Sequence, residues 1–114
     1  MRLPPSAEAA LFGPLPPEGW HAAEVQAVRA ETSAGDQRAW RWTFDVPGAR
    51  PLLYVTPVGA DRLEKLADLL EALDVTAPFD TAELAGRRLR VHVQHVFWNG
   101  ELRARIDGVQ AARP

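Results

Sequence analysis

The sequence predicts an all-β domain carrying one helix, with five strands in the order β-β-β-α-β-β. Three observations carry this. Apolar and polar residues alternate with a period of two in several short runs, the signature of half-buried strands. One leucine-rich stretch, Leu63 to Leu73, instead repeats at helical spacing. Turn residues fall between these runs, above all Asn99-Gly100, a strong two-residue hairpin signal.

The first 18 residues contain five prolines, Pro4, Pro5, Pro14, Pro16 and Pro17. Proline lacks an amide donor and resists regular structure, so residues 1–18 read as an extended arm that Leu11 and Phe12 could anchor. The first strand spans about Trp20 to Ala30. His21, Ala23, Val25 and Ala27 fall on one face, with Ala22, Glu24 and Gln26 on the other. The polar stretch Glu31 to Asp36 then reads as a loop. The second strand, about Arg38 to Val46, sets Trp40, Trp42 and Phe44 opposite Ala39, Arg41, Thr43 and Asp45; Pro47-Gly48 closes it. The third is Leu52 to Thr56, bounded by Pro51 and Pro57.

The helix is expected to start at Asp61 as cap with Glu64 as its capping-box partner, and to stop near Asp74 before Pro78. Leu63, Leu66, Leu70 and Leu73 form its apolar stripe, widened by Leu69. A single turn follows, with Asp80 and Glu83 at capping-box spacing and Gly86 where a left-handed residue is needed. The fourth strand, about Arg88 to Val96, turns Leu89, Val91 and Val93 inward and Arg88, Arg90, His92 and Gln94 outward. The fifth, Leu102 to about Val109, sets Leu102, Ala104 and Ile106 opposite Arg103, Arg105 and Asp107. A helix between the third and fourth of five short strands is the order of the five-stranded, partly open OB barrel, which binds oligonucleotides or oligosaccharides. An SH3-like barrel and an irregular α+β sheet compete with it. The domain is expected over residues 19–110, with a short tail at 111–114.

The chain's 114 residues suit one domain. It has no cysteine, which excludes disulfides, thiol chemistry and thiolate zinc sites. No segment approaches the roughly 20 apolar residues of a membrane span, and the start lacks a signal-peptide run. The expected location is the cytoplasm of a bacterial cell or a phage-infected host. The net charge is −2, but it is unevenly spread: residues 1–86 carry 7 basic and 13 acidic side chains, residues 87–114 carry 6 and 2. Such asymmetry hints at an anionic partner; the competing reading is a solvated face balanced elsewhere.

Catalysis finds little support. Ser6 and Ser33 are the only serines, and neither has a nearby base in the sequence. The carboxylate pairs Asp61/Glu64 and Asp80/Glu83 are explained by capping. His92 and His95 sit at an odd spacing, on opposite strand faces, with no further ligand cluster, so no metal is expected. His21 reads as a core or rim histidine with its hydrogen bonds satisfied. No cofactor motif is present.

Several stretches together carry a family resemblance. They are Leu15-Pro16-Pro17-Glu18-Gly19-Trp20, Ala23-Glu24-Val25, Trp42-Thr43-Phe44-Asp45-Val46 and Leu63 to Leu73. Phe79-Asp80, Leu84-Ala85-Gly86-Arg87-Arg88, and Asn99-Gly100 through Arg103, Ile106, Asp107 and Gly108 complete the set. Over residues 15–108 the chain resembles the small phage and prophage single-stranded-DNA-binding proteins long known only as a domain of unknown function. It departs at His21, where an aromatic is common, at Ala34-Gly35-Asp36, which lacks the usual lysines, and in having no acidic tail after Gln110. The resemblance implies an OB domain that binds single-stranded DNA with little sequence preference in replication or recombination, without enzymatic activity.

Single-strand binders pair a basic groove with aromatics on which bases stack, and arginine adds planar stacking and forked phosphate contacts. The candidate cations are Arg38 and Arg41 on the second strand, Arg87, Arg88 and Arg90 at the fourth, and Arg103 and Arg105 on the fifth. A hairpin through Asn99-Gly100 brings Arg88, Arg90, Arg103 and Arg105 to one surface if register permits. A charged face that only keeps the sheet soluble is the alternative. Trp42 and Phe44 are expected in the core; Trp40, Tyr54 and Trp98 (with Phe97 beside it) are the stacking candidates. The second functional class open to the sequence is a non-catalytic interaction module. Its groove or proline-rich arm would dock onto a recombinase, nuclease or helicase. Edge strands and the arm also permit a homo-oligomer.

Overall fold

The computed structural model describes residues 4, 7, 11–33, 37–59, 61–76 and 79–112. The expected loop residues Ala34-Gly35-Asp36, the expected helix stop Pro78, and Met1 to Leu3, Pro5 and Arg113-Pro114 lie outside them. The elements are β1 (Gly19–Ser33), β2 (Gln37–Asp45), β3 (Leu52–Pro57), α1 (Glu64–Ala72), a 3-10 turn (Thr81–Leu84), β4 (Arg88–Trp98) and β5 (Glu101–Ala111). Among the described residues the protein is mostly β, with one helix, α1, after β3 and a five-stranded antiparallel sheet ordered β3-β2-β1-β4-β5.

The order differs from the expected β-β-β-α-β-β before β1, where Ala7, Leu11 and Phe12 have helical backbone; the single turn expected before β4 is the 3-10 turn. The sheet is also open. β3 and β5 are its edges, and β3 is only six residues long, with prolines at its end and just before its start, which limits the donors it can offer a further strand. α1 packs against both edge strands.

β1 is longer than expected. It runs on to Ser33, paired with Gln37, where a loop was expected from Glu31. It pairs with β4 through Gly19 to Glu24 and with β2 through Glu24 to Ser33. A bulge at Gln26 separates the pairs Val25↔Phe44 and Ala27↔Thr43. One extra residue reverses the alternation, so the core side passes from Ala23 and Val25 to Val28, opposite Trp42. Ala27 therefore does not continue the inward row.

The core is built from Trp42 and Phe44 of β2, Leu89, Val91 and Val93 of β4, Ile106 of β5, and Leu66, Leu69 and Leu73 from the helical segment. Trp42 is fully buried, and its indole N–H donates to the buried Thr56 hydroxyl at 2.9 Å. Each partner thereby satisfies a group that is costly to bury alone.

The helix start differs from expectation. Leu63 occupies the N-cap with helical backbone and no side-chain cap. Asp61 lies instead in a turn closed by the Arg62 N–H on the Gly59 carbonyl. Leu63 is consequently exposed and leaves the apolar stripe, which is completed by Ala72. At the other end Asp74 takes a left-handed φ of 56°. The Asp74 N–H bonds the Glu71 carbonyl and the Val75 N–H bonds the Leu70 carbonyl, the paired bonds of a Schellman stop. The Asp80 carboxylate caps the 3-10 turn by accepting from the Ala82 N–H at 2.9 Å, and Gly86 has a φ of 88°. Asn99 and Gly100 both have positive φ, 50° and 77°, as a primed hairpin turn requires.

The arm is tied down by its backbone and not by Leu11 and Phe12, which are exposed. Arg50 donates from its N–H to the Pro14 carbonyl and from Nε to the Gly13 carbonyl. The His95 ring bonds the Pro16 carbonyl at 2.7 Å, the His95 N–H donates to Glu18, and the His21 ring bonds the Pro17 carbonyl. Pro16 itself is buried. Among the described residues no helix is long and apolar enough to cross a membrane.

Candidate nucleic-acid interface

Strand pairing decides which side chains share a surface. On β4 the outward row is Arg88, Arg90, His92, Gln94, Val96 and Trp98. Toward β1, Arg88 lies opposite Glu24, Arg90 opposite Ala22 and His92 opposite Trp20. Toward β5, Arg90 lies opposite Gln110, Gln94 opposite Arg105, Val96 opposite Arg103 and Trp98 opposite Glu101. Directly paired residues of an antiparallel ladder project to the same side. Arg88, Arg90, Arg103, Arg105 and Trp98 therefore occupy one outward face of the β1–β4–β5 sheet.

Trp20 completes this face. Its ring meets the His92 ring edge-on at 5.1 Å between centroids, and the Arg90 guanidinium lies 5.5 Å from its centroid. Gly108 sits beneath: a Cβ there would lie 3.4 Å from the Trp20 ring, an ordinary van der Waals contact. Arg90 also donates to the Gln110 side chain at 3.3 Å, and Arg105 donates to Gln94 at 3.2 Å. These partners are neutral, so both guanidinium groups keep their charge available. The acids on this side are placed beside particular bases. Glu101 lies 3.6 Å from Arg103, Asp107 holds the His92 ring, and Glu24 stands opposite Arg88.

The remaining candidates lie elsewhere. Arg87 is exposed at the corner before β4, where its carbonyl accepts from the Val25 N–H. Arg41 is on the outward side of β2, opposite Arg29, and is paired with Glu31 at 3.0 Å. Arg38 is on the other side of β2, opposite Thr32, and borders two cavities of about 430 and 380 Å³ at the end of the strand. Trp40 is half-buried, packed edge-on against Phe79 at 6.1 Å and tilted against Trp42 at 6.2 Å.

Tyr54 is half-buried on the inner side, at a cavity of about 500 Å³ between α1 and β5. The Lys65 ammonium lies 4.3 Å from its ring centroid. Burial, reinforced by the Asp68 carboxylate, raises the Tyr54 phenol above its ordinary 10.0. Burial, reinforced by Arg105, lowers the Lys65 ammonium below 10.5.

Sequence reasoning missed Trp20. The signal was available in its alternation: Trp20 shares a phase with Ala22 and Glu24, opposite the inward row of Ala23 and Val25. His92 and His95 face opposite sides, as their spacing implies, and each is engaged by a protein oxygen. Among the described residues no group of His, Cys, Asp or Glu is arranged to hold a metal. Comparison of the sequence with protein-family models and with curated proteins finds no match.

Proposed function

We propose that this protein binds single-stranded DNA with little sequence preference, as the phage-type replication and recombination proteins it resembles do, and that it performs no catalysis. The observation that carries the reading is the outward face of β1, β4 and β5, where Arg105 and Arg103 lie between two surface indoles, Trp20 and Trp98, and Arg90 and Arg88 follow on the far side of Trp20. Guanidinium groups on this face meet phosphate oxygens, which carry no sequence information. The indoles offer π faces to any base. The strand arrangement supports reading the fold as a partly open OB barrel: β1 is shared between β2 and β4, and α1 follows β3 and lies against both sheet edges.

The test is fluorescence anisotropy of labelled oligo-dT with the wild-type chain and with Arg88→Glu/Arg90→Glu. Removing two phosphate contacts and adding two repulsive charges is expected to weaken binding by about 100-fold or more, since each engaged phosphate contributes to affinity through counterion release. The far-UV spectrum should not change, because both side chains project away from the core. Unchanged affinity would move the site off this face. An absence of binding by the wild type would leave the interaction module as the working reading.

A further inference from the structure

We propose that His92 is a phosphate-binding residue of the outward face, acting only in its protonated form, so that binding of a single strand takes up a proton; this role rests on that face being the DNA site. His92 lies in the β4 row between Arg90 and Gln94, with Trp20 directly opposite on β1 and Gly108 on β5. Arg105 stands opposite Gln94. The imidazole therefore sits between two guanidinium groups whose hydrogen-bond partners, Gln110 and Gln94, are neutral. The Trp20 ring meets it edge-on at 5.1 Å between centroids. A strand whose base stacks on Trp20 and whose phosphates meet Arg90 and Arg105 passes over His92.

The two ring nitrogens are differently placed. Nδ1 is bonded to the Asp107 carboxylate. An ionised carboxylate can only accept, so Nδ1 carries a proton. Among the described residues no hydrogen bond reaches Nε2 and no buried side-chain nitrogen or oxygen is left unpaired, so Nε2 is open to solvent on a side chain that is 36% exposed. In the neutral ring Nε2 is an acceptor, and its lone pair repels an approaching phosphate oxygen. A proton taken from solvent turns the same atom into a cationic N–H donor, which forms a charge-assisted bond to phosphate. The His92–Asp107 pair then passes from one net negative charge to none. The charged groups around it are Arg90 along β4, Asp107 and Arg105 of β5, and, from α1, Asp68 and Glu71, which line with Tyr54 the cavity that Asp107 also borders. β1 places only the uncharged Trp20 opposite; its Glu24 stands opposite Arg88, and Glu18 before it is held by the His95 N–H. Histidine is the side chain whose ordinary titration falls between about pH 5 and pH 8, while carboxylate and guanidinium groups ordinarily hold a fixed charge there.

The test is fluorescence anisotropy of labelled oligo-dT with the full chain at about pH 6 and about pH 8, at one ionic strength, which spans the imidazole titration. The wild type should bind about 5-fold or more tighter at the lower pH, the lower end of couplings between two binding events. Its log–log salt slope should steepen there by about 0.7, one further phosphate of a single strand. His92→Gln is polar but does not titrate, and should bind with the weaker affinity at both pH values. His92→Arg carries a fixed charge and should bind at the higher pH about as tightly as the wild type at the lower; circular dichroism checks the fold of both. By reciprocity, the His92 ring signal in an NMR titration of the wild type should move its midpoint to higher pH by the same factor when oligo-dT is bound. His21 and His95, whose rings bond arm carbonyls, should not move. Equal wild-type affinity at both pH values, or a pH dependence that survives in folded His92→Gln, overturns the proposal and leaves the DNA site standing. A wild-type chain that binds no oligo-dT at either pH overturns both.

Discussion

Replacing Thr56 by valine isolates the worth of one buried hydrogen bond. Thr56 and Trp42 are both fully buried, and the 2.9 Å bond from Trp42 Nε1 to the Thr56 hydroxyl joins β2 to β3. Valine keeps the β-branched shape that suits a strand, but leaves the indole N–H without an acceptor. The expected loss is about 1–3 kcal/mol, the cost of a buried donor left unpaired. Thr56→Ser keeps the hydroxyl and removes one methyl, which should cost about 1 kcal/mol. Trp42→Phe removes the donor but opens a cavity. The double variant Trp42→Phe/Thr56→Val should therefore lose less than the sum of its parts, since it leaves no orphaned indole. Urea denaturation followed by circular dichroism reads all four stabilities, with an m-value that stays constant if only the folded state changes. Thr56→Val as stable as wild type, or strict additivity in the cycle, would refute the reasoning.

Other consequences are equally direct. Asp74 sits at positive φ in the helix stop, so Asp74→Gly should stabilise the protein by about 0.5–1 kcal/mol; thermal unfolding checks it, and a lower Tm would contradict the assigned stop. Tyr54 is the only tyrosine, so its ultraviolet titration reads one group. The folded midpoint should lie above 10.0 and return toward that value in urea. The native state then keeps a proton that the unfolded chain has lost, so this group's contribution to stability falls as pH rises from 10 through the folded pKa. Lys65, lowered by burial and Arg105, acts in the opposite sense, which Tyr54→Phe separates. A folded Tyr54 midpoint at or below 10.0 would contradict the packing around its ring. Trp20→Ala should weaken oligo-dT binding by roughly 5- to 160-fold, the worth of one stacked base at about 1–3 kcal/mol, and equal affinity in a titration would remove Trp20 from the site.

What the sequence made legible was local chemistry. Asn99-Gly100 demanded a primed turn, Asp80 an N-cap and Gly86 a left-handed residue, and each is determined by neighbours only a few positions away. The inward rows of β2 and β4 were readable because their alternation is unbroken. The bulge at Gln26 was not, because it exists only as a register between β1 and β2, and it flips which residues of β1 face inward. The helix start was misplaced because Asp61 offered a capping pattern that the turn from Gly59 to Arg62 uses differently. The arm's attachment was hidden for a further reason. Its carbonyls are held by Arg50 and His95, distant residues whose partners no local pattern announces. For the candidate site, alternation and the hairpin were enough to gather Arg88, Arg90, Arg103 and Arg105. The contribution of Trp20 depended on the pairing of β1 with β4, a register that no local pattern states.

The central claim is single-strand binding by the outward face of β1, β4 and β5, and intrinsic tryptophan fluorescence tests it most directly. Oligo-dT should quench emission, and affinity should fall with salt at a log–log slope of roughly −2 to −4, corresponding to three to five phosphates engaged. Between 50 and 200 mM salt this amounts to a loss of about 20- to 200-fold. A chain whose fluorescence does not respond to oligo-dT at low salt, and which shifts no oligonucleotide in a gel, would contradict the account.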